Sequence, residues 1–222
     1  MQRKRVAVFI SGRGSNMSAL IAAASKADYP AEISLVLADS PKAAGLDIAK
    51  EAGIPAFSVD RKTFPDRATF ESRLDEHLTE HAIEIVCLAG FMRILSPEFV
   101  ERWRSQILNI HPSLLPAFPG LNTHEQAIKA GVKLSGCTVH VVGPGLDDGP
   151  IIAQSAVPVH VSDTADTLAS RILKAEHVLY PMALRLFASG AVKIEDDRVV
   201  LTDAPLENEM AIFSPPLFAD QV

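Results

Sequence analysis

Asn109 and His111 stand two residues apart in the run Ile107-Leu108-Asn109-Ile110-His111-Pro112-Ser113-Leu114-Leu115-Pro116. On an extended strand that spacing sends both side chains off the same face. An amide NH2 beside an imidazole can hold the oxyanion that forms when a nucleophile adds to a carbonyl, and can then move a proton. The plainer alternative is a turn-closing asparagine and a satisfied core histidine. An imidazole at work needs an orienting partner, and the loop Gly143-Pro144-Gly145-Leu146-Asp147-Asp148-Gly149-Pro150 offers two carboxylates. Adjacent acids in such a loop are commonly just solvated. Strand connections this short would nevertheless bring them beside the Asn109 and His111 end.

A second group of residues lies near the amino end. Ser11-Gly12-Arg13-Gly14-Ser15-Asn16 follows an apolar strand over residues 5–10 and precedes a helix over 17–27. A first strand-to-helix turn is where backbone N–H groups and a helix amino end bind phosphate. No Gly-Lys-Ser/Thr closes the turn, so it is not a P-loop, and Met17 stands where a dinucleotide fingerprint needs its third glycine. A bare tight turn and a phosphate cradle for something smaller than a dinucleotide both fit.

The elements that must position these residues follow from periodicity. Apolar runs predict strands over 5–10, 33–38, 55–59, 83–89, 107–111, 137–142 and 151–159. Helices are predicted over 41–53, 66–81, 97–104, from about 123 to 131, and 164–188. Thr123 or Asn122 would cap the fourth of these and Ser96 the third. A small hairpin turns about Asp196-Asp197. Strands and helices alternate over the first three-quarters of the chain. The expected fold class is therefore α/β: doubly wound and Rossmann-like, with a largely parallel sheet whose strand carboxyl ends bind ligands. A single catalytic domain over 1–202 is expected, with an irregular arm over 203–222.

The 66–81 segment carries Phe70, Leu74 and Leu78 on one stripe. It ends in His77-Leu78-Thr79-Glu80-His81, which matches the H-x-x-E-H pattern of inverted zinc proteases. The match falls in a last helical turn, where the dipole favours histidine anyway, and no distant third ligand stands out. No metal is expected. Phe91, Met92, Ile94 and Leu95 are too apolar for an exposed loop, so they either pack beneath it or line a pocket for a flat ligand.

Composition bounds the rest. The 222 residues are 48% hydrophobic and 22% charged, as expected of a globular chain. The net charge of -6 argues against nucleic acid as a partner, though not against a small phosphorylated ligand. No run reaches the roughly 20 apolar residues of a membrane helix, and the basic start Met1-Gln2-Arg3-Lys4-Arg5 leads to no cleavage site. A cytoplasmic location is expected, with no membrane partner. Cys87 and Cys137 have no metal or redox spacing and read as small core residues.

Four motifs in order carry a family likeness: Ser11 to Asn16, Leu88-Ala89-Gly90-Phe91-Met92-Arg93-Ile94-Leu95, Asn109 to Pro116, and Leu146-Asp147-Asp148-Gly149-Pro150. From residue 6 to about 190 the chain resembles the phosphoribosylglycinamide formyltransferases of purine biosynthesis. The resemblance implies a transferase of one-carbon metabolism with the formyltransferase type of fold. It would move a formyl group from 10-formyltetrahydrofolate, as cosubstrate, to the amine of glycinamide ribonucleotide.

Asn109, His111 and Asp147 look like the catalytic set. The likeness assigns the ribonucleotide to Gly14, Ser15, Asn16, Arg67 and Glu176. It assigns the folate to Leu88, Met92, Arg93, Ile94, Leu95, Phe99, Val100 and Ile107, closed by backbone of residues 143–147 that includes Gly143 and Leu146. Asn122 stands where some relatives carry histidine, and Asp148 where some have glycine. A monomer or homodimer acting on small molecules is expected. A deformylase would use water as acceptor. Relatives of that type carry an extra amino-terminal domain, whereas this chain starts almost at its first strand. A methionyl-tRNA formyltransferase would add a tRNA-binding domain, and a dinucleotide oxidoreductase would need the missing third glycine.

Overall fold

The computed structural model describes residues 2–202, so the arm expected over 203–222 lies outside the described residues. Seven strands form one sheet: β1 (Lys4–Ile10), β2 (Ala31–Ala38), β3 (Ala56–Ser58), β4 (Ile85–Leu88), β5 (Ile107–His111), β6 (Leu134–Val141) and β7 (Ile151–Pro158). Their spatial order is β3-β2-β1-β4-β5-β6-β7. The first five strands run parallel, while β6 and β7 return antiparallel to their neighbours. The strand order reverses between β1 and β4, and at such a switch point a crevice opens beyond the strand carboxyl ends.

Helices α1 (Ser15–Ala24), α2 (Gly45–Glu51), α3 (Arg67–Glu80), α4 (Pro97–Arg102), α5 (Thr123–Ala130) and α6 (Ala165–Ala188) cover both faces. The unbroken apolar run of β1 has its reason here. Val6, Val8 and Ile10 enter one core with residues of α1 and α6, and Ala7 and Phe9 enter the other with Phe70, Leu74 and Leu78 of α3. The period-two alternation is present, but both faces are buried.

Local signals set several ends. The Asp66 carboxylate accepts from Thr69 N–H at 2.8 Å to start α3, and Ser96 caps α4 with Pro97 at its first position. Thr164 and Thr167 form a reciprocal cap on α6. That helix is tied under the sheet by Tyr180, whose hydroxyl lies 3.0 Å from the Leu108 carbonyl and 3.2 Å from that of Leu88. The hairpin forms as expected from β8 (Val192–Glu195) and β9 (Arg198–Leu201).

Two helix starts differ by more than one residue from the sequence reading. Helix α2 starts at Gly45 rather than 41, because Gly45 N–H is taken by the Gly12 carbonyl at 3.1 Å and the chain before it turns. Helix α1 starts at Ser15, since Gly14 holds φ 74° and acts as a cap without a side chain. Among the described residues, no helix is long and apolar enough to cross a membrane.

Candidate active site

Strand β5 delivers Asn109 and His111 from one face, as their spacing requires, and β6 runs antiparallel beside it with His140 directly opposite Asn109. Asn109 Nδ2 lies 3.1 Å from His140 Nε2, and His140 Nδ1 lies 3.0 Å from the Val141 carbonyl. A carbonyl only accepts, so His140 carries its proton on Nδ1 and its Nε2 accepts from the Asn109 amide. Burial pushes the His140 pKa down and keeps this ring neutral. One amide hydrogen of Asn109 is thereby fixed, and the other remains for a ligand.

The same reasoning fixes His111, which is buried. Its Nε2 lies 3.0 Å from the Phe118 carbonyl and must donate to it. Its Nδ1 faces Asp147 Oδ2 at 3.4 Å, longer than an ordinary hydrogen bond. This nitrogen is the one left for proton movement. The Asp147 carboxylate is anchored by Gly120 N–H at 2.9 Å and also lies 3.9 Å from His140 Nε2. Asp147 itself sits at φ 52°, in the left-handed region. Its neighbour Asp148 is exposed and folds back over its own loop: a Cβ on Gly143 or Gly145 would fall within 2.7 or 2.1 Å of the Asp148 carboxylate. The two acids are thus neither equivalent nor both solvated.

The turn that carries these groups is stapled. Thr138 Oγ1 donates to the Ser113 carbonyl at 2.7 Å and accepts from Leu115 N–H at 3.0 Å, while Thr123 Oγ1 donates to the Pro112 carbonyl at 2.9 Å. The Leu115–Pro116 peptide is cis.

The glycine turn stands on the other side of the switch point. Gly14 and Gly45 meet back to back: a Cβ on Gly14 would lie 3.0 Å from Gly45 Cα, and one on Gly45 would lie 2.6 Å from Ile10 Cδ1. This close approach leaves the first N–H groups of α1 without a side-chain cap, which is the geometry of an anion cradle. Asn16 Nδ2 donates to Glu176 Oε2 at 2.7 Å inside the protein, and Asn16 Oδ1 has no partner. Burial raises the Glu176 pKa, while the Asn16 amide and the charge of His111 pull it down. Glu176 therefore feels both groups of residues. Arg67 opens α3 and lines a cavity of about 480 Å³ with Glu71, Ser96, Phe99 and Arg102. It makes no hydrogen bond to the Gly14 turn.

The loop after β4 is fastened to that turn. Ser11 N–H donates to the Gly90 carbonyl at 3.2 Å, and Met92 N–H donates to Ser11 Oγ at 2.8 Å. The residues assigned to a folate pocket divide. Leu88, Leu95, Phe99, Val100 and Ile107 are buried in the α3 and α4 core. Met92, Ile94 and Leu146 are 65%, 75% and 60% exposed. Arg93 Nε is held by the buried Asp39 at 2.5 Å, so the guanidinium is a fixed part of the loop. Packing beneath the loop thus holds for Phe91 and Leu95, while Met92 and Ile94 stand in solvent.

Sequence reasoning singled out neither His140 nor Gly45. A signal for His140 existed, a polar side chain in an apolar strand. No local signal marked Gly45 as the partner of Gly14. Among the described residues, one group of three histidine, cysteine or acidic donors is spaced for a metal, His77, Glu80 and His81. His77 stacks on Phe57 of β3, at the far edge of the sheet from this site.

Residues 4–184 match the formyl transferase family. The chain is 50% identical over 196 residues to the trifunctional purine biosynthetic protein adenosine-3 of Bos taurus, covering 88% of this chain and 19% of that protein. It thus spans about a fifth of the length of that relative. It is 41% identical over 182 residues to the phosphoribosylglycinamide formyltransferase of Bacillus subtilis, covering 82% of this chain and 93% of the relative. The crystal structure of glycinamide ribonucleotide transformylase 1 from Symbiobacterium toebii superposes with a TM-score of 0.88 at 45% identity, over 90% of this chain and 95% of that one. A glycine turn and an Asn109–His111 strand at a parallel-sheet switch point, in a chain whose residues 4–184 match that family and which covers 93% of the Bacillus subtilis relative, have one reading: this chain belongs to the formyl transferase family.

Proposed function

We propose that the protein transfers a formyl group from 10-formyltetrahydrofolate to the primary amine of glycinamide ribonucleotide. The observation that carries this is the junction of two sets across the switch point. One is a carbonyl-addition set of Asn109, His111 and Asp147, and the other is an uncapped helix start at Gly14, Ser15 and Asn16 joined to Glu176. The first set suits the reacting carbonyl. The second suits a substrate that brings its own phosphate.

The neutral amine of the ribonucleotide attacks the formyl carbon, and the carbonyl electron pair moves onto oxygen. The free Asn109 amide hydrogen and a proton on His111 Nδ1 stabilise that oxyanion. A water held by Asp147 takes the proton lost by the attacking nitrogen. The oxyanion then reforms the carbonyl, the bond to folate N10 breaks, and N10 gains a proton. Protons balance, and the step needs neither a metal ion nor a covalent enzyme intermediate. Neutral His140 orients Asn109 and faces Asp147, so it supports both catalytic groups without adding a charge between them.

The exposed Met92, Ile94 and Leu146 suit the flat pterin and its arm, since burying such side chains under a ligand is favourable by about 1.5–3 kcal/mol each. Tetrahydrofolate release from 10-formyltetrahydrofolate, followed by ultraviolet absorbance, tests the reading. Turnover that requires glycinamide ribonucleotide is the expected result. Equal turnover with water alone would make the protein a deformylase.

A further inference from the structure

His77, Glu80 and His81 close α3 at positions i, i+3 and i+4, which share one helix face. One donor atom from each lies within 4.8 Å of the others. His81 Nδ1 is 2.9 Å from the His77 carbonyl. The carbonyl accepts, so Nδ1 carries the ring proton and Nε2 keeps a free lone pair. Fixing one imidazole nitrogen on a backbone carbonyl is how proteins orient the other for a metal.

His77 is only 5% exposed, with its ring stacked on Phe57 at 4.9 Å between centroids. Its Nδ1 is buried without a hydrogen-bond partner. That nitrogen lies 3.9 Å from Glu80 Oε2. The gap is too long for a hydrogen bond, yet it fits between two bonds of about 2.1 Å each to a shared ion. Arg73, one turn earlier, is paired with Glu76 at 2.7 Å, so its charge is met and Glu80 is left to the site. The helix dipole accounts for histidine at this end of α3, but it supplies no partner for the orphaned nitrogen.

We propose that His77, Glu80 and His81 bind one divalent transition-metal ion of the zinc or nickel class. Two imidazoles and one carboxylate select such borderline ions over magnesium or calcium, whose preferred ligands are all oxygen. The site lies by β3, four strands across the sheet from β5, or about 19 Å at 4.8 Å per strand. Its role is to fasten the last turn of α3, whose His77 packs on β3. It is independent of the formyl-transfer reading, because none of its residues belongs to that site.

The test is titration calorimetry of the chelator-treated full chain with Zn2+, Ni2+ and Mg2+, paired with thermal melting. Wild type is expected to take up one equivalent of Zn2+ or Ni2+ and to melt at a higher temperature with it, with no response to Mg2+. His81→Gln should lose the binding and the shift, and Glu80→Gln should weaken both. Glu80 is exposed and His81 half-buried, and unchanged formyl transfer by the variants would report an intact fold. Absence of stoichiometric uptake by wild type would overturn the proposal. So would undiminished binding by both variants, which would move the ion to other histidines.

Discussion

The polar cluster around β5 and the apolar rim above it are built on opposite plans. Asn109, His111 and Asp147 are each tied to a fixed partner, respectively His140, the Phe118 carbonyl and Gly120 N–H. Met92, Ile94, Leu121 and Leu146 stand out in solvent. Groups that meet developing charge gain most from being held before the reaction starts, because reorientation would otherwise add to the barrier. Groups that cover an apolar ligand need only area, and they gain it when the ligand arrives. The division teaches that rate should reside in the buried cluster and donor affinity in the rim.

The strongest attempt to break that division is His111→Ala or Asp147→Asn. Each is expected to lower kcat by about 100- to 10,000-fold with the fold retained, as measured by steady-state turnover and circular dichroism. Asn109→Ala should follow, at about 100- to 1000-fold in kcat. A variant of either kind with near wild-type turnover would remove the assigned role.

Ile94→Ser or Leu146→Ser should instead raise the KM for the folate by about tenfold, leaving kcat and the melting temperature nearly unchanged. A large fall in kcat from a rim change would erase the distinction. Gly14→Ala sharpens the comparison from the phosphate side. It forces a side chain to φ 74° and against Gly45 and Met17, costing about 1–2 kcal/mol of stability and raising the KM for the ribonucleotide.

The smallest effect concerns pH. Burial lowers the pKa values of His77, His124 and His140. The unfolded chain therefore binds these protons first. Their stabilisation is present above about pH 6.5 and is lost as pH falls below it. Glu176 has the opposite sign. Its pKa is raised by burial, so its contribution is full below the unfolded value and is lost as pH rises through the folded one. Melting curves should show stability falling on acidification below about pH 6.5, and Glu176→Gln melting higher than wild type at neutral pH while binding the ribonucleotide less well.

Much of the fold was legible along the chain because strand and helix periods are local. The apolar run of β1, the Phe70, Leu74 and Leu78 stripe of α3, and the Ser96 cap all stand where those signals put them. The pair Asn109 and His111 was legible for the same reason, since a two-residue spacing decides which face a side chain leaves. The early start expected for α2 failed because helix pattern carries no trace of a glycine that must dock on another turn.

By itself the sequence determined the chemical types present and the strand that carries the central pair, since both depend on neighbours within a few residues. Only the tertiary structure decided that His140 faces Asn109 across 31 residues of chain, that Asp147 reaches Gly120 N–H across 27, and that Glu176 meets Asn16 across 160. The antiparallel turn of β6, a left-handed backbone at Asp147 and the burial of α6 set these contacts. Such separations belong to strand register and helix packing, which no window of local pattern contains.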